Sequence, residues 1–335
     1  MSDNTIDRKT LLNLATMLRP ALASAAYIPA LTHICFDDGK ATAFNDIAAI
    51  WASAKFDYEG CLPGELLIKA LNSFSNDTVR LQKLEDGATL LTCGRSKLKL
   101  PTLPVADYPV LKIKTAGATY IDIDASILKG IQMCMMNVGN DPTHPAQMGV
   151  TLDVDDKGRA VLFSTDNATI SRYQTSTKIE LPADAPVILP TFFCQQLCSL
   201  AGSFIEAQAK LMVGPDFLIG QFGDESRATI FSRVMVDLEA LDFAKQIAKI
   251  IKLSEVKDML CEIPSSWEAA WQRALLVMEG EADKMTTVAI SGDVLKLQSS
   301  SSMGEADDRM GFDGPDGPAG DPMLVDPSLI VRASK

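Results

Sequence analysis

Apolar positions along this chain fall into short alternating runs, divided by turn residues and interleaved with stretches of helical spacing. Residues 7–24 carry Leu11, Leu12, Leu14, Met17 and Leu18 at helical spacing, and Pro20 is placed to kink or end that helix. Residues 27–36 resume as a strand. Asp37-Asp38-Gly39 makes a tight turn, and residues 41–56 predict a hairpin. Pro63 suits the first turn of a helix over residues 61–71. Three short strands follow at 79–84, 88–93 and 97–103, divided by Glu85-Asp86-Gly87 and Gly94-Arg95-Ser96.

The same order then recurs. Residues 121–138 predict a helix, and 150–154 and 160–165 are strands around Asp155-Asp156-Lys157-Gly158. Ile188-Leu189-Pro190-Thr191 repeats the strand–Pro–helix entry of Leu62-Pro63. Strands at 210–213, 217–222 and 228–235 close the unit. Its centre is residues 160–173, an apolar run that turns at Thr165-Asp166-Asn167 and resumes as alternation through Ile170 and Arg172. Residues 41–51 echo it, with Asn45-Asp46 in the place of Thr165-Asp166. Two such units about 120 residues apart point to a repeat at domain scale.

A third unit begins after residues 239–260, which read as a helix. Ser265-Ser266-Trp267-Glu268 resembles a capped helix start, with Trp267, Trp271, Ala274 and Leu275 on one face. Strands follow at 286–290 and 294–298. Gly304-Glu305-Ala306-Asp307-Asp308 leads to a Gly/Pro/Asp-rich loop over 311–321. Residues 324–333 resemble the second helix entry of the earlier units, or alternatively 323–335 form a shortened terminal strand. The expected architecture is three similar α+β domains at roughly 1–115, 116–240 and 241–335, the third incomplete or divergent. Helices lie on one side and antiparallel sheets on the other.

Composition narrows the function. A chain of 335 residues has room for two or three cores. Its most apolar stretch, residues 22–36, is short and interrupted by Pro29 and His33, so no membrane span is expected. The polar, acidic start does not resemble a signal peptide, and seven scattered cysteines suit cytoplasmic thiols better than a disulfide framework. A formal charge of −12 argues against a protein coated in nucleic acid, while leaving room for DNA on one inner surface.

Catalytic chemistry finds little support. Cys194 and Cys198 lie one helical turn apart, but the chain has only His33 and His144, so neither a metal site nor a base for a cysteine nucleophile is expected. Residues 311–320 lack the Lys-Ser/Thr of a phosphate loop. Asp153, Asp155 and Asp156 read as a solvated turn, and Met133, Met135 and Met136 as core filler. No enzyme activity, catalytic residue or cofactor is therefore expected.

Short segments in a fixed order carry a resemblance. They are Ile28-Pro29-Ala30-Leu31, residues 100–109 ending in Asp107-Tyr108-Pro109, Thr165-Asp166, Ser232-Arg233-Val234 and Gly304-Glu305-Ala306. In this order the chain resembles a bacterial-type DNA sliding clamp, the beta subunit of a replicative polymerase, in a divergent or phage-like form. The resemblance departs at Asn167-Ala168-Thr169, where the family has Gly-His-Arg, and near Ala25, where the family has an arginine.

The resemblance implies a dimeric ring whose helices line a hole and hold duplex DNA by phosphate contacts without reading bases. Candidate DNA-binding residues are Arg8, Lys9, Arg19, Lys69, Lys129, Arg273 and Arg332. An ordinary solvated helix face is the competing reading for each, and Lys245, Lys249 and Lys252 read as such a face. Implied partners are double-stranded DNA without sequence preference, a replicative DNA polymerase, a clamp loader and a second copy in a head-to-tail homodimer. A partner peptide with apolar anchors would enter a pocket containing Thr165 and Ile170, with Met148 nearby. The alternative is a clamp-like docking module that binds replication proteins without encircling DNA.

Overall fold

The computed structural model describes residues 5–25, 27–109, 111, 113–182, 185–203, 209–223, 227–234, 263–281, 284–311 and 322–333. The chain divides into two compact units, Met1–Ala240 and Leu241–Lys335. The predicted helix over 239–260, its lysine stripe and the loop over 312–321 lie outside the described residues.

The first unit runs twice through one order of elements. The first pass is β1 (Thr5–Asp7), α1 (Arg8–Leu18), β2 (His33–Asp37), β3 (Lys40–Phe44), β4 (Ala48–Ser53), β5 (Gly60–Pro63), α2 (Gly64–Ser73), β6 (Thr78–Lys83), β7 (Thr89–Cys93) and β8 (Ser96–Leu100). The second is β9 (Thr119–Ile123), α3 (Ala125–Met135), β10 (Gly149–Val154), β11 (Arg159–Thr165), β12 (Ile170–Lys178), β13 (Val187–Pro190), α4 (Thr191–Ser203), β14 (Ala209–Val213), β15 (Phe217–Phe222) and β16 (Ala228–Arg233). Strands β1-β6-β7-β8 and β12-β11-β10-β13 form four-stranded sheets. The other eight join in one sheet, β5-β2-β3-β4-β16-β15-β14-β9, whose middle seam pairs Ala48–Ala52 of β4 antiparallel with Ser232–Ala228 of β16.

Local sequence explains both passes. Helix α1 buries Leu11, Leu14, Ala15 and Leu18, and α3 buries Ile127, Gly130, Ile131 and Cys134, the same i, i+3, i+4, i+7 stripe. Asp7 and Asp124 cap them, accepting from the Thr10 and Ile127 amides at 2.7 and 2.8 Å. Such caps each contribute about 1 kcal/mol. In the eight-stranded sheet, alternation divides the two faces. Ile34, Phe36, Ile50, Leu211, Leu218 and Ile230 join the core beneath the helices. Cys35, Ala49, Met212, Phe217, Ile219 and Phe231 face the other way. That second face is covered by the segment linking the two passes, through Leu103, Val105, Tyr108, Leu111 and Ile113. The Tyr108 hydroxyl donates to the carbonyls of His33 and Thr42, both at 3.4 Å. Residues 107–109 are thus a clasp on the sheet.

Several expected boundaries move. The helix expected over 7–24 ends at Leu18, and a single 3-10 turn over Arg19–Ala21 follows at Pro20. The strand expected over 27–36 begins only at His33, because Pro29–Thr32 form another 3-10 turn. The helix expected over 121–138 is divided: Thr119–Ile123 form edge strand β9, and Asp124 caps the helix that follows. Pro63 is the last strand residue and N-cap of α2, not its first turn.

The second unit contains α5 (Trp267–Val277), β17 (Thr286–Ser291), β18 (Val294–Ser301), β19 (Gly304–Gly311), β20 (Met323–Val325) and α6 (Pro327–Ala333). Its sheet order, β19-β18-β17-β20, repeats β4-β3-β2-β5 and β12-β11-β10-β13. Residues 304–308, read as the approach to a loop, belong to strand β19, while 323–333 form a strand and then a helix rather than a terminal strand alone. Ser266 precedes α5 without a side-chain cap bond, so the expected capping box does not form. Trp271 fills the core with Val288, Leu295, Leu297 and Met310, and Trp267 packs edge-on against it at 5.5 Å.

Candidate nucleic-acid interface and peptide pocket

The seven predicted cations have different environments. Lys9, Lys69 and Lys129 stand on the exposed faces of α1, α2 and α3, and none makes an ion pair among the described residues. Arg19 is bound by Glu65 of α2, Nε to Oε1 at 2.6 Å and Nη2 to Oε2 at 3.2 Å. That carboxylate raises the Arg19 pKa and offsets its charge. Arg273 is held the same way by Asp308, at 3.1 and 2.5 Å. Arg8 is half-buried and donates to the carbonyls of Asn76 and Leu71, both at 2.9 Å, tying α1 to the end of α2. Arg332 is half-buried on α6. Of the seven candidates, then, the three helix lysines Lys9, Lys69 and Lys129 keep an exposed charge with no ion pair among the described residues. Exposed positions of α1 between them are Thr10, Asn13 and Thr16, and α4 carries no charged residue.

Met148, Thr165 and Ile170 gather at one end of the β10–β13 sheet. Thr165 ends β11 and pairs with Ile170, the first residue of β12, while Met148 directly precedes β10. Ile170 and Met148 are 38% and 37% exposed, whereas Thr165 is buried. Thr165 Oγ1 donates to the Thr169 carbonyl at 2.7 Å and accepts from the Asn167 amide at 3.1 Å, so it braces the turn. Sequence reasoning missed two more braces. Asn167 has a left-handed φ of 70°, and buried Gln147 donates from Nε2 to its Oδ1 at 2.6 Å. A polar residue between His144 and Met148 gave no periodic signal that could have marked Gln147.

This turn has a counterpart. Asp166 Oδ1 accepts from the amides of Ala168 and Thr169 at 3.1 and 2.7 Å. Asn45 Oδ1 accepts from Ile47 and Ala48 at 3.1 and 2.8 Å. Asp46 has φ 78°, matching Asn167. The equivalence is Asn45-Asp46 with Asp166-Asn167, one residue later than the sequence echo placed it.

Elsewhere, chemistry is quiet. No cluster of three or more His, Cys, Asp or Glu suited to a metal occurs among the described residues. Burial pushes the thiols of Cys134 and Cys198 up to about 12 and about 11, away from the reactive thiolate. Burial also raises Cys194. Asp155, read as a solvating charge, instead organises its turn. It accepts from Arg159 Nε and N, from Lys157 N and from Gln174 Nε2, at 2.6 to 2.9 Å. No described helix is long and apolar enough to cross a membrane.

Comparison with known proteins agrees with this geometry. Residues 44–112 match the family model described as DNA polymerase III beta subunit, N-terminal domain. The fold superposes on the beta sliding clamp of C. crescentus with a TM-score of 0.81 at 18% identity, covering 98% of this chain and 88% of that one. The DNA polymerase III subunit beta of Pseudomonas aeruginosa gives 0.79 at 16% identity, and the sliding clamp of Bacillus subtilis 0.78 at 19%, with the same coverage. The chain has the fold of the bacterial beta sliding clamps, and its residues 44–112 match the family model of the N-terminal domain of the DNA polymerase III beta subunit.

Proposed function

We propose that this protein is a DNA sliding clamp, a non-catalytic processivity factor whose three domains, 1–115, 116–240 and 241–335, build half of a homodimeric ring. The ring encircles duplex DNA, is opened by a clamp loader and tethers a replicative polymerase. One observation carries the reading: the seam between β4 and β16. Sheet order makes β8 the counterpart of β16, and β19 the counterpart of β4. Both are terminal strands of their sheets among the described residues. A second copy can extend them by the same antiparallel rule, β8 of one protomer against β19 of its partner. Such a heterologous contact closes by rotation.

Charge supports this pairing. β8 presents exposed Lys97 and Lys99, the latter paired with Asp86, and β19 presents exposed Glu305 and Asp307, the latter paired with Lys296 and Arg309, which leaves Lys97 and Glu305 as the charges free to meet across the seam. Duplex DNA then meets the helix surface through Lys9, Lys69 and Lys129. The partner peptide seats an apolar side chain against Ile170 and Met148 on the turn braced by Thr165.

The test is sedimentation equilibrium of wild type and of Lys97→Glu/Lys99→Glu. Wild type is expected to be a dimer at micromolar protein. Reversing these two exposed charges costs about 1–2 kcal/mol per seam, so association weakens at least roughly tenfold. Glu305→Lys restores part of it. A wild-type monomer at that concentration, unaffected by the charge reversal, overturns the ring and favours a docking module that does not encircle DNA.

A further inference from the structure

The turn that carries the peptide site occurs twice in the first unit, and its other copy also borders an apolar groove. Asn45, Asp46, Ile47 and Ala48 occupy the places of Asp166, Asn167, Ala168 and Thr169, with the same side-chain bonds and the same left-handed residue. Ile47 is 65% exposed at the tip, and its carbonyl accepts from the Arg233 amide at 2.9 Å. Beside it, between the segment linking the two passes and the β15–β16 hairpin, lies a groove of about 1010 Å³. Half-buried Leu111 and Ile113 give it apolar surface over the buried rings of Phe217 and Phe231, and Lys114 and Arg233 stand among its lining residues.

We propose that this groove is a second peptide-binding site, taking a short extended segment with two large apolar side chains next to a carboxylate. The proposal rests on the peptide reading of the Thr165–Ile170 turn. The groove has room for two such side chains. Its charges set the ligand's polarity. Lys114 is exposed and has no ion pair among the described residues, so it can receive a carboxylate. Arg233 already lies 3.8 Å from Asp46, and Asp216 also lines the groove, which favours a single acidic group over an acidic run.

The probe is the pentapeptide Gln-Leu-Ser-Leu-Phe with a free C-terminal carboxylate, titrated into the full chain by calorimetry. Two sites per chain are expected. Ile170→Asp should remove one. Lys114→Glu, at an exposed position that leaves the core intact, should weaken the other roughly fivefold to tenfold. Ile113→Asp should abolish it, because an unpaired carboxylate would enter apolar surroundings. Methyl NMR guards against misfolding: signals of Ile113 and Ile170, assigned through Ile113→Val and Ile170→Val, should both shift with peptide. Binding only at Ile170, with Ile113 unmoved, overturns the second site and leaves the first standing. Binding only at Ile113 supports the groove and overturns the reading of the Thr165 turn. No binding at either position overturns both.

Discussion

Lys9, Lys69 and Lys129 carry exposed, unpaired charge on the helices of the first unit, and replacing all three with alanine isolates their contribution. The candidate arginine Arg19 is offset by Glu65 at 2.6 Å, and Arg273 of the second unit by Asp308 at 2.5 Å. Each phosphate neutralised by a lysine adds about 0.9 to the slope of log K against log salt, so three add about 2.7 per chain. Across a fourfold change, from about 50 to about 200 mM salt, that slope amounts to roughly 40-fold in affinity. Fluorescence anisotropy of a labelled duplex over that range reads the slope directly. The triple variant should lose about 2.7 from its magnitude for each chain that contacts the duplex. Arg19→Ala/Glu65→Ala, which removes a neutral pair, should stay within about 0.5 of wild type. An unchanged slope in the triple variant, or an equal loss in the paired variant, refutes this assignment of charge.

Two further outcomes follow from local geometry. Gly149 lies where an added Cβ would sit 2.4 Å from the Leu189 carbonyl oxygen, and a backbone atom cannot yield cheaply. Gly149→Ala should therefore cost about 1–3 kcal/mol and lower Tm by several degrees, and a Tm within about 1 °C of wild type contradicts the packing. The Arg159 side chain and backbone amides hold Asp155 well below the usual carboxylate range. Its contribution is complete above the unfolded value near 4 and is lost as pH falls toward the lower folded value. Asp155→Asn should lower the urea midpoint at neutral pH and flatten its fall in acid; parallel curves for both proteins count against it.

Local signals in the sequence were enough for much of the fold. Asp37-Asp38-Gly39 and Asp155-Asp156-Lys157-Gly158 turn the chain where they were expected to, since glycine with φ near 70° closes each. Pro63 and Pro190 mark the two strand-to-helix entries. The edge strand β9 was not legible, because Ile123, Ile127 and Ile131 continue at helical spacing straight through it. Only its pairing with β14, some 90 residues later, makes residues 119–123 a strand. Charge state was hidden for the same reason. Arg19 and Glu65 are 46 positions apart, and a salt bridge over that separation leaves no periodic trace. Thr165 and Ile170 were singled out through resemblance and a turn motif, and the structure pairs them across that turn. Gln147, 20 positions from the Asn167 it supports, was not singled out.

The central claim is that duplex DNA passes through a closed ring of two copies. Its most direct measurement is retention on DNA of defined topology, with the protein loaded by its clamp loader on a nicked circle and followed by gel filtration. Loaded protein should stay with the circle through a high-salt wash that removes simple electrostatic binding, and should be released when one restriction cut linearises it. Release by salt from circle and line alike, or retention on the line after cutting, would contradict it.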